Sequence, residues 1–269
     1  MTGGRRKCPQ QTFMTIKNCP MCGTPCRIMY REDGSADHYK PLELDELNAN
    51  APPIPEPLRD WLRIKRKGKN TVALVGSAHT SGGWAPYGEI DVWCSNEMHG
   101  KVWCKEEGAT GWFQLHPKWS FTTEHRFDHW GWLQKEHPFP IYMQRKYDDV
   151  PSCEVYPLRE IQSNLLGSFV RGEAVMRKLF TSTFSYMVAL AIYKGYERIE
   201  LYGIELALGA EWEYQRETMA FWIGKASGMN IEVWMPEACA LLLQPLYAYE
   251  EVRKGNTGEV LLPPDGWKE

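Results

Sequence analysis

Apolar residues in this chain come in short blocks whose spacing switches between helical and strand-like, with charged or Gly-rich stretches between them. Residues Thr181–Val233 show the pattern most clearly. Thr181, Ser182 and Thr183 can each cap a helix start, because a hydroxyl oxygen accepts from the open amides of the first turn. Met187, Leu190, Ala191 and Lys194 follow at helical spacing, and Gly195 is a stop. Arg198–Tyr202 predicts a strand with Ile199 and Leu201 on one face, and Gly203 stands at its carboxyl end. A charged loop precedes a second helix, expected from near Glu213 to about Ala226 and closed by Gly228. Ile231–Trp234 predicts the next strand.

Earlier blocks extend the pattern. Thr71–Val75 is apolar on both faces, as a strand inside a parallel sheet must be. It runs into the loop Gly76-Ser77-Ala78-His79-Thr80-Ser81-Gly82-Gly83. Glu89–Ser95 predicts a second strand ending at Asn96, and Gly111–Leu115 a third ending at His116. Pro140–Met143 is a fourth, Val150–Pro157 an extended piece and Leu158–Leu166 a helix. Strands alternating with helices predict an α/β fold with a mostly parallel sheet and helices on both faces. Ligands of such sheets bind outside the carboxyl ends of the strands. That rule directs attention to Thr181–Thr183, Gly203–Glu205 and Glu211–Arg216.

The N-terminal segment has different chemistry. Residues 1–47 contain Cys19-Pro-Met-Cys22-Gly23, a tight turn that aims two thiolates at one point, and Cys8, Cys26 and His38 are near it in sequence. The expectation is a zinc-ribbon-like knob with one structural zinc, held by Cys19 and Cys22 and by two of Cys8, Cys26 and His38. The alternative is plain buried cysteines. A hairpin is expected from Cys26–Tyr30 to Ser35–Tyr39 around Glu32-Asp33-Gly34. Four prolines make 48–58 a stiff linker, and 59–269 is then the α/β nucleotide-binding domain with a loose tail.

Composition narrows the classes. A net charge of −3 gives no support for a broad nucleic-acid surface. No apolar run reaches the ~20 residues of a membrane span, and no signal segment follows Arg5-Arg6-Lys7, so a cytoplasmic protein is expected. The basic run Arg59–Lys69 reads as a phosphate contact or a solvated helix end. The first loop is neither GxGxxG nor a Walker loop, so nicotinamide binding and P-loop phosphoryl transfer are not supported. Residues 117–137 are rich in Trp and His without metal spacing and suggest an aromatic layer or a pocket cover.

The blocks VALVGSAHT, IDVWCSN and TSTFSYMVALAIYKGYERIELYGIE resemble the bacterial sialyltransferases of glycosyltransferase family 42. They also resemble related Rossmann-like proteins, many of them phage-encoded, and the archaeal pterin-diphosphokinase-like group. The resemblance spans roughly residues 71–234 in short blocks. It implies a Rossmann-like fold and a nucleotide or nucleotide-sugar ligand. By the same resemblance, Gly76, Ser77, Asn96, Thr181, Ser182 and Gly203 hold that ligand. The first loop departs from the Asn-Gly-Pro-Ser type of the sialyltransferases. No histidine follows His137 to match their late general base.

Transfer from an activated sugar requires a base and groups that stabilise a leaving phosphate. Glu213 is the first candidate base, Glu205 the second and His116 the third. Tyr214, Gln215 and Arg216 at a helix start could face an anion. The expected protein is a nucleotide-sugar-dependent transferase with an open choice of acceptor, nucleic acid included. The alternatives are a non-catalytic nucleotide-binding module and a zinc-containing interaction or assembly protein.

Overall fold

The computed structural model describes residues 16–18, 25–30, 36–41, 53–78, 80–101, 103–122, 128–167, 178–206, 212–237, 239, 241–242, 252–254 and 259–261. For 16–18, 25–30, 36–41, 212–213, 252–254 and 259–261 the description is of the backbone.

Strands β1 (Ile16–Asn18), β2 (Pro25–Tyr30) and β3 (Ala36–Pro41) make a three-stranded antiparallel sheet. The expected hairpin is the β2–β3 pair. Its register sets Cys26 opposite Pro41 and His38 opposite Met29. Cys8, Cys19 and Cys22 lie outside the described residues. Among the described residues no group of three or more His, Cys, Asp or Glu is gathered to hold a metal.

Helix α1 (Glu56–Arg66) begins inside the stretch expected to be linker. Pro57 fits there because a first-turn residue has no intrahelical use for an N–H. Strands β4 (Thr71–Val75), β5 (Asp91–Ser95) and β6 (Gly111–Gln114) follow. Next come α2 (Lys118–Thr122), α3 (His129–Leu133), β7 (Ile141–Met143) and β8 (Cys153–Val155). Then come α4 (Leu158–Leu166), α5 (Thr183–Tyr193), β9 (Arg198–Tyr202), α6 (Trp212–Gly228) and β10 (Glu232–Trp234). A last pair, β11 (Val252–Lys254) and β12 (Glu259–Leu261), is antiparallel.

Strands β4 to β10 form one seven-stranded sheet in the order β10-β9-β4-β5-β6-β7-β8, and every pairing is parallel. The chain moves outward from β4 to β8, then returns to the other side of β4 as β9. The direction of winding therefore reverses between β4 and β9. The β4–β5 connection carries a 3₁₀ turn, Gly82–Trp84.

Strand pleating divides the core in two. Val72, Leu74, Trp93, Phe113, Ile199 and Leu201 pack beneath α4, α5 and α6. Ala73, Val75, Cys94, Trp112, Ile141 and Tyr202 face the other side, with Phe121 of α2 and Trp132 and Leu133 of α3. Helices thus cover both faces. In the basic run Arg63, Lys65 and Lys67 are exposed, whereas Arg66, from the last turn of α1, reaches the fully buried carboxylate of Glu200 on β9, with Nη2 to Oε2 at 2.7 Å.

Helix α5 is buried on most of its circumference, through Met187, Val188, Ala189, Leu190, Ala191 and Ile192. A short turn through Gly195, at φ 78°, joins it to β9. A helix that feeds a parallel strand so directly runs antiparallel to it. The start of α5 therefore stands at the carboxyl rim of the sheet, and the same topology puts the start of α6 there.

Candidate functional site

The rim holds a cavity of about 300 Å³, at the lower end of the ~300–1,000 Å³ usual for small-ligand sites. Asn96, Leu115, His116, Phe180, Thr181, Ser182, Thr183, Phe184, Tyr186 and Gln215 line it. Asn96 ends β5, His116 follows β6, Thr181–Thr183 open α5 and Gln215 belongs to α6. Six residues that the sequence singles out therefore share one space: Asn96, His116, Thr181, Ser182, Thr183 and Gln215.

Asn96 adopts φ 51°, a left-handed conformation that Asn tolerates better than most residues. Its backbone carbonyl accepts from Trp112 Nε1 at 2.9 Å, which ties the turn to a buried ring on β6. Its side-chain Oδ1 is buried and has no hydrogen-bond partner among the described residues. Buried acceptors are rarely left in that state, and a cavity wall is where a ligand donor can satisfy one.

The hydroxyls of the α5 start have structural work. Ser182 Oγ accepts from Ser185 N at 3.2 Å, and Ser185 Oγ accepts from Ser182 N at 3.3 Å, a reciprocal cap. Thr181 Oγ1 lies 2.6 Å from Thr218 Oγ1 and donates to the Tyr214 carbonyl at 3.1 Å. Those contacts join α5 to α6. The amides of Thr183 and Phe184 belong to a first turn that supplies no acceptors of its own.

His116 is held from behind. Gln114 Oε1 is 3.1 Å from both the His116 backbone N and its Nδ1. Gln114 Nε2 is 2.6 Å from His129 Nε2, and His129 Nδ1 is 3.0 Å from His99 Nε2. Gln114 and His129 are buried. His99 stacks on Trp132 at 4.5 Å and on His129 at 5.1 Å. Burial pushes the His99 pKa down to about 4. The signal for this line in the sequence is the lone Gln inside the otherwise apolar strand Gly111-Trp-Phe-Gln-Leu115.

Among the described residues, Gly76, Ser77, Gly203, Glu205, Tyr214 and Arg216 do not line the cavity. Gly76 and Gly203 sit where the winding reverses, and the two loops pack backbone to backbone there. Gly76 N donates to Tyr202 O at 2.8 Å, Ala78 N to Gly203 O at 3.0 Å, and Gly203 N to Ser81 Oγ at 2.8 Å. A Cβ on Gly76 would overlap Gly203 O, and Gly203 has φ 60°. The two loops are thus in direct contact at the point where the winding reverses. Ser77 is exposed beside them. Glu205 accepts a hydrogen bond from Thr80 Oγ1. Tyr214 is exposed, and Arg216 Nε donates to Leu241 O at 3.1 Å. Glu213 is the second residue of α6, and its side chain lies outside the described residues.

The fold and site define an α/β protein with a parallel sheet and a polar-and-aromatic cavity on its carboxyl rim. No protein-family model matches the chain. No curated protein matches it. Among solved structures, the chain is similar to the sialyltransferase CstII from Campylobacter jejuni in complex with cytidine-5'-monophosphate, at 17% identity and a TM-score of 0.43, over 73% of this chain and 96% of that one. It is also similar to CstII with CMP-3FNeuAc, at 16% identity and a TM-score of 0.41, over the same 73% and 96%. No helix among the described residues is long and apolar enough to cross a membrane.

Proposed function

We propose that the rim cavity holds the nucleotide part of an activated donor, and that the protein is a transferase of glycosyltransferase type. The buried Asn96 Oδ1 carries this reading: an acceptor without a partner among the described residues, across a small cavity from the start of a helix. A base amino group or a ribose hydroxyl is the kind of donor that would pair with it. Phe180, Phe184 and Tyr186 offer apolar surface to a planar ring. The first-turn amides of α5 favour the negative charge of a leaving phosphate. His116 is the base in this reading, since among the described residues it is the one titratable side chain on the cavity wall besides Tyr186. The resemblance of the sequence blocks to sialyltransferases points to the same class.

In the N-terminal knob, Cys19 and Cys22 are proposed to hold one structural zinc with two of Cys8, Cys26 and His38. The ligand set suits zinc, and the metal would supply folding energy to a segment too short to bury much apolar surface.

The test is a thermal-shift screen of nucleotides and nucleotide sugars, followed by mass spectrometry for donor consumption. The expected result is stabilisation by one nucleotide class, lost in Asn96→Gly, and release of the nucleotide when an acceptor is supplied. Stabilisation without turnover would make the protein a binding module. No stabilisation by any nucleotide would remove the reading.

A further inference from the structure

The contacts that run from His116 through Gln114 and His129 to His99 fit a definite set of proton positions. A carboxamide oxygen accepts and a carboxamide NH₂ donates. The backbone N–H of His116 must donate, and it points at Gln114 Oε1 at 3.1 Å. That contact fixes which end of the Gln114 amide is oxygen. His116 Nδ1, 3.1 Å from the same oxygen, must then carry a proton. At the other end, Gln114 Nε2 donates to His129 Nε2 at 2.6 Å, so that ring carries its proton on Nδ1. His129 Nδ1 donates in turn to His99 Nε2 at 3.0 Å. His99 accepts only as a neutral ring. Its depressed pKa agrees with that.

We propose that Gln114 is the positioning residue of the site: it locks the His116 proton on Nδ1 and thereby makes Nε2 the basic atom. The rest of the line, His129 and His99, holds Gln114 in that orientation. This deepens the reading of His116 as the base and rests on it for its catalytic meaning. A base set by a third group is a recurring arrangement in transfer and hydrolysis chemistry.

The line is an anchor and not a proton wire. During transfer, the O–H bond of the attacking hydroxyl breaks and its proton passes to His116 Nε2. The new C–O bond forms as the bond from that carbon to the phosphate oxygen breaks, and the electron pair leaves with phosphate. His116, now an imidazolium, keeps donating Nδ1–H to Gln114 Oε1, which also eases the positive charge. An amide has no ready site to pass the proton on. The proton therefore departs from Nε2, to water or to the released phosphate, and His116 is exposed enough for either.

Long-range ¹H–¹⁵N spectra of the full chain labelled in histidine test this without substrate. The chain has 7 histidines, and a His116→Gln spectrum identifies the resonance of interest. At about pH 8, where an ordinary imidazole is neutral, wild-type His116 should show protonated Nδ1 and unprotonated Nε2. Gln114→Met, of similar volume, should shift the ring toward the Nε2–H form. Gln114→Glu keeps an oxygen acceptor for His116 and should keep its tautomer while releasing His129. A wild-type ring protonated on Nε2, or a tautomer unmoved by Gln114→Met, would overturn the proposal. The wild-type spectrum decides by itself if Gln114→Met does not fold. A locked tautomer in a protein that consumes no donor would leave the anchor standing and remove the transferase reading alone.

Discussion

Arg66 and Glu200 lie 134 positions apart in the chain, and their side chains meet in a bidentate pair, Nη2–Oε2 at 2.7 Å and Nε at 3.1 Å from both oxygens. Glu200 also accepts from Arg198 Nε and from the Tyr202 hydroxyl, each at 2.7 Å. The carboxylate is fully buried, so its partners rely on it for compensation. Removing one member of such a cluster leaves an uncompensated buried charge, which costs about 3–5 kcal/mol. Glu200→Gln should destabilise the protein by about that amount in urea denaturation. Glu89→Gln removes the exposed partner of Arg63, at 3.2 Å, and should cost less than about 1 kcal/mol. Equal costs for the two would mean that the cluster does not anchor α1 to the sheet.

Gly203 and Gly195 both have positive φ, at 60° and 78°, yet they should differ in tolerance. A Cβ on Gly195 meets nothing within 4 Å, so Gly195→Ala should cost only the left-handed strain of about 1–2 kcal/mol. A Cβ on Gly203 would stand 2.5 Å from Ala78 O and 2.7 Å from Gly76 O, both of them backbone. Gly203→Ala should therefore cost more than about 3 kcal/mol, since the two loops must part. Thermal or chemical denaturation ranks the pair. A milder Gly203→Ala would show that the loops at the winding reversal are free to separate.

These glycines show where the sequence was legible and where it was not. Thr71–Val75, Arg198–Tyr202 and Leu158–Leu166 were readable because buried parallel strands and amphipathic helices impose local patterns. Ser182 at the start of α5 was readable from capping chemistry. A Gly-rich turn after a strand, such as the one at Gly76, reads alike whether it meets a ligand or a neighbouring loop. That distinction depends on a contact with Gly203, far along the chain. Gln114, His129 and His99 come from β6, α3 and the turn after β5. No local period connects them.

Asn96→Gly separates binding from folding. Glycine adopts φ 51° without strain, so the turn should persist while the amide is lost. Nucleotide affinity should fall roughly tenfold or more, the value of a hydrogen bond to a buried acceptor. The melting temperature of the unliganded protein should hold or rise, because an unsatisfied buried oxygen is removed. Unchanged affinity would place the nucleotide elsewhere.

His99 gives stability a pH dependence with a defined sign. Its folded pKa is lowered from 6.5 to about 4, first by burial, then by the positive charges of His137 and Lys135, against the opposing pull of Glu106 and Asp128. Between these values the unfolded chain binds a proton that the folded chain refuses. Its contribution to stability is therefore intact above pH 6.5 and is lost as pH falls toward 4. Denaturation midpoints should drop through that window, and His99→Gln should flatten the drop. An identical slope in the variant would assign the acid sensitivity to other groups.

The identity of the base is the sharpest test of the site. Three side chains compete, and the structure treats them differently. Glu205 is engaged by Thr80 Oγ1 beside the two loops in contact, outside the cavity wall. Glu213 is the second residue of α6, on the same rim, and among the described residues of that helix Gln215 lines the cavity. His116 lines the cavity with its Nδ1 fixed on Gln114. His116→Gln should therefore lose about 10²–10⁴ in turnover, while nucleotide affinity and melting temperature stay nearly unchanged. Glu205→Gln should keep turnover, because a carboxamide oxygen still accepts from Thr80. Glu213→Gln should keep it too, with at most a small loss of helix stability from the removed first-turn charge. Single-turnover measurements on the three variants, with donor and product followed by mass spectrometry, read these outcomes directly. A full loss in Glu213→Gln with turnover intact in His116→Gln would transfer the role to the carboxylate, and Gln114 would then hold a histidine that takes no proton.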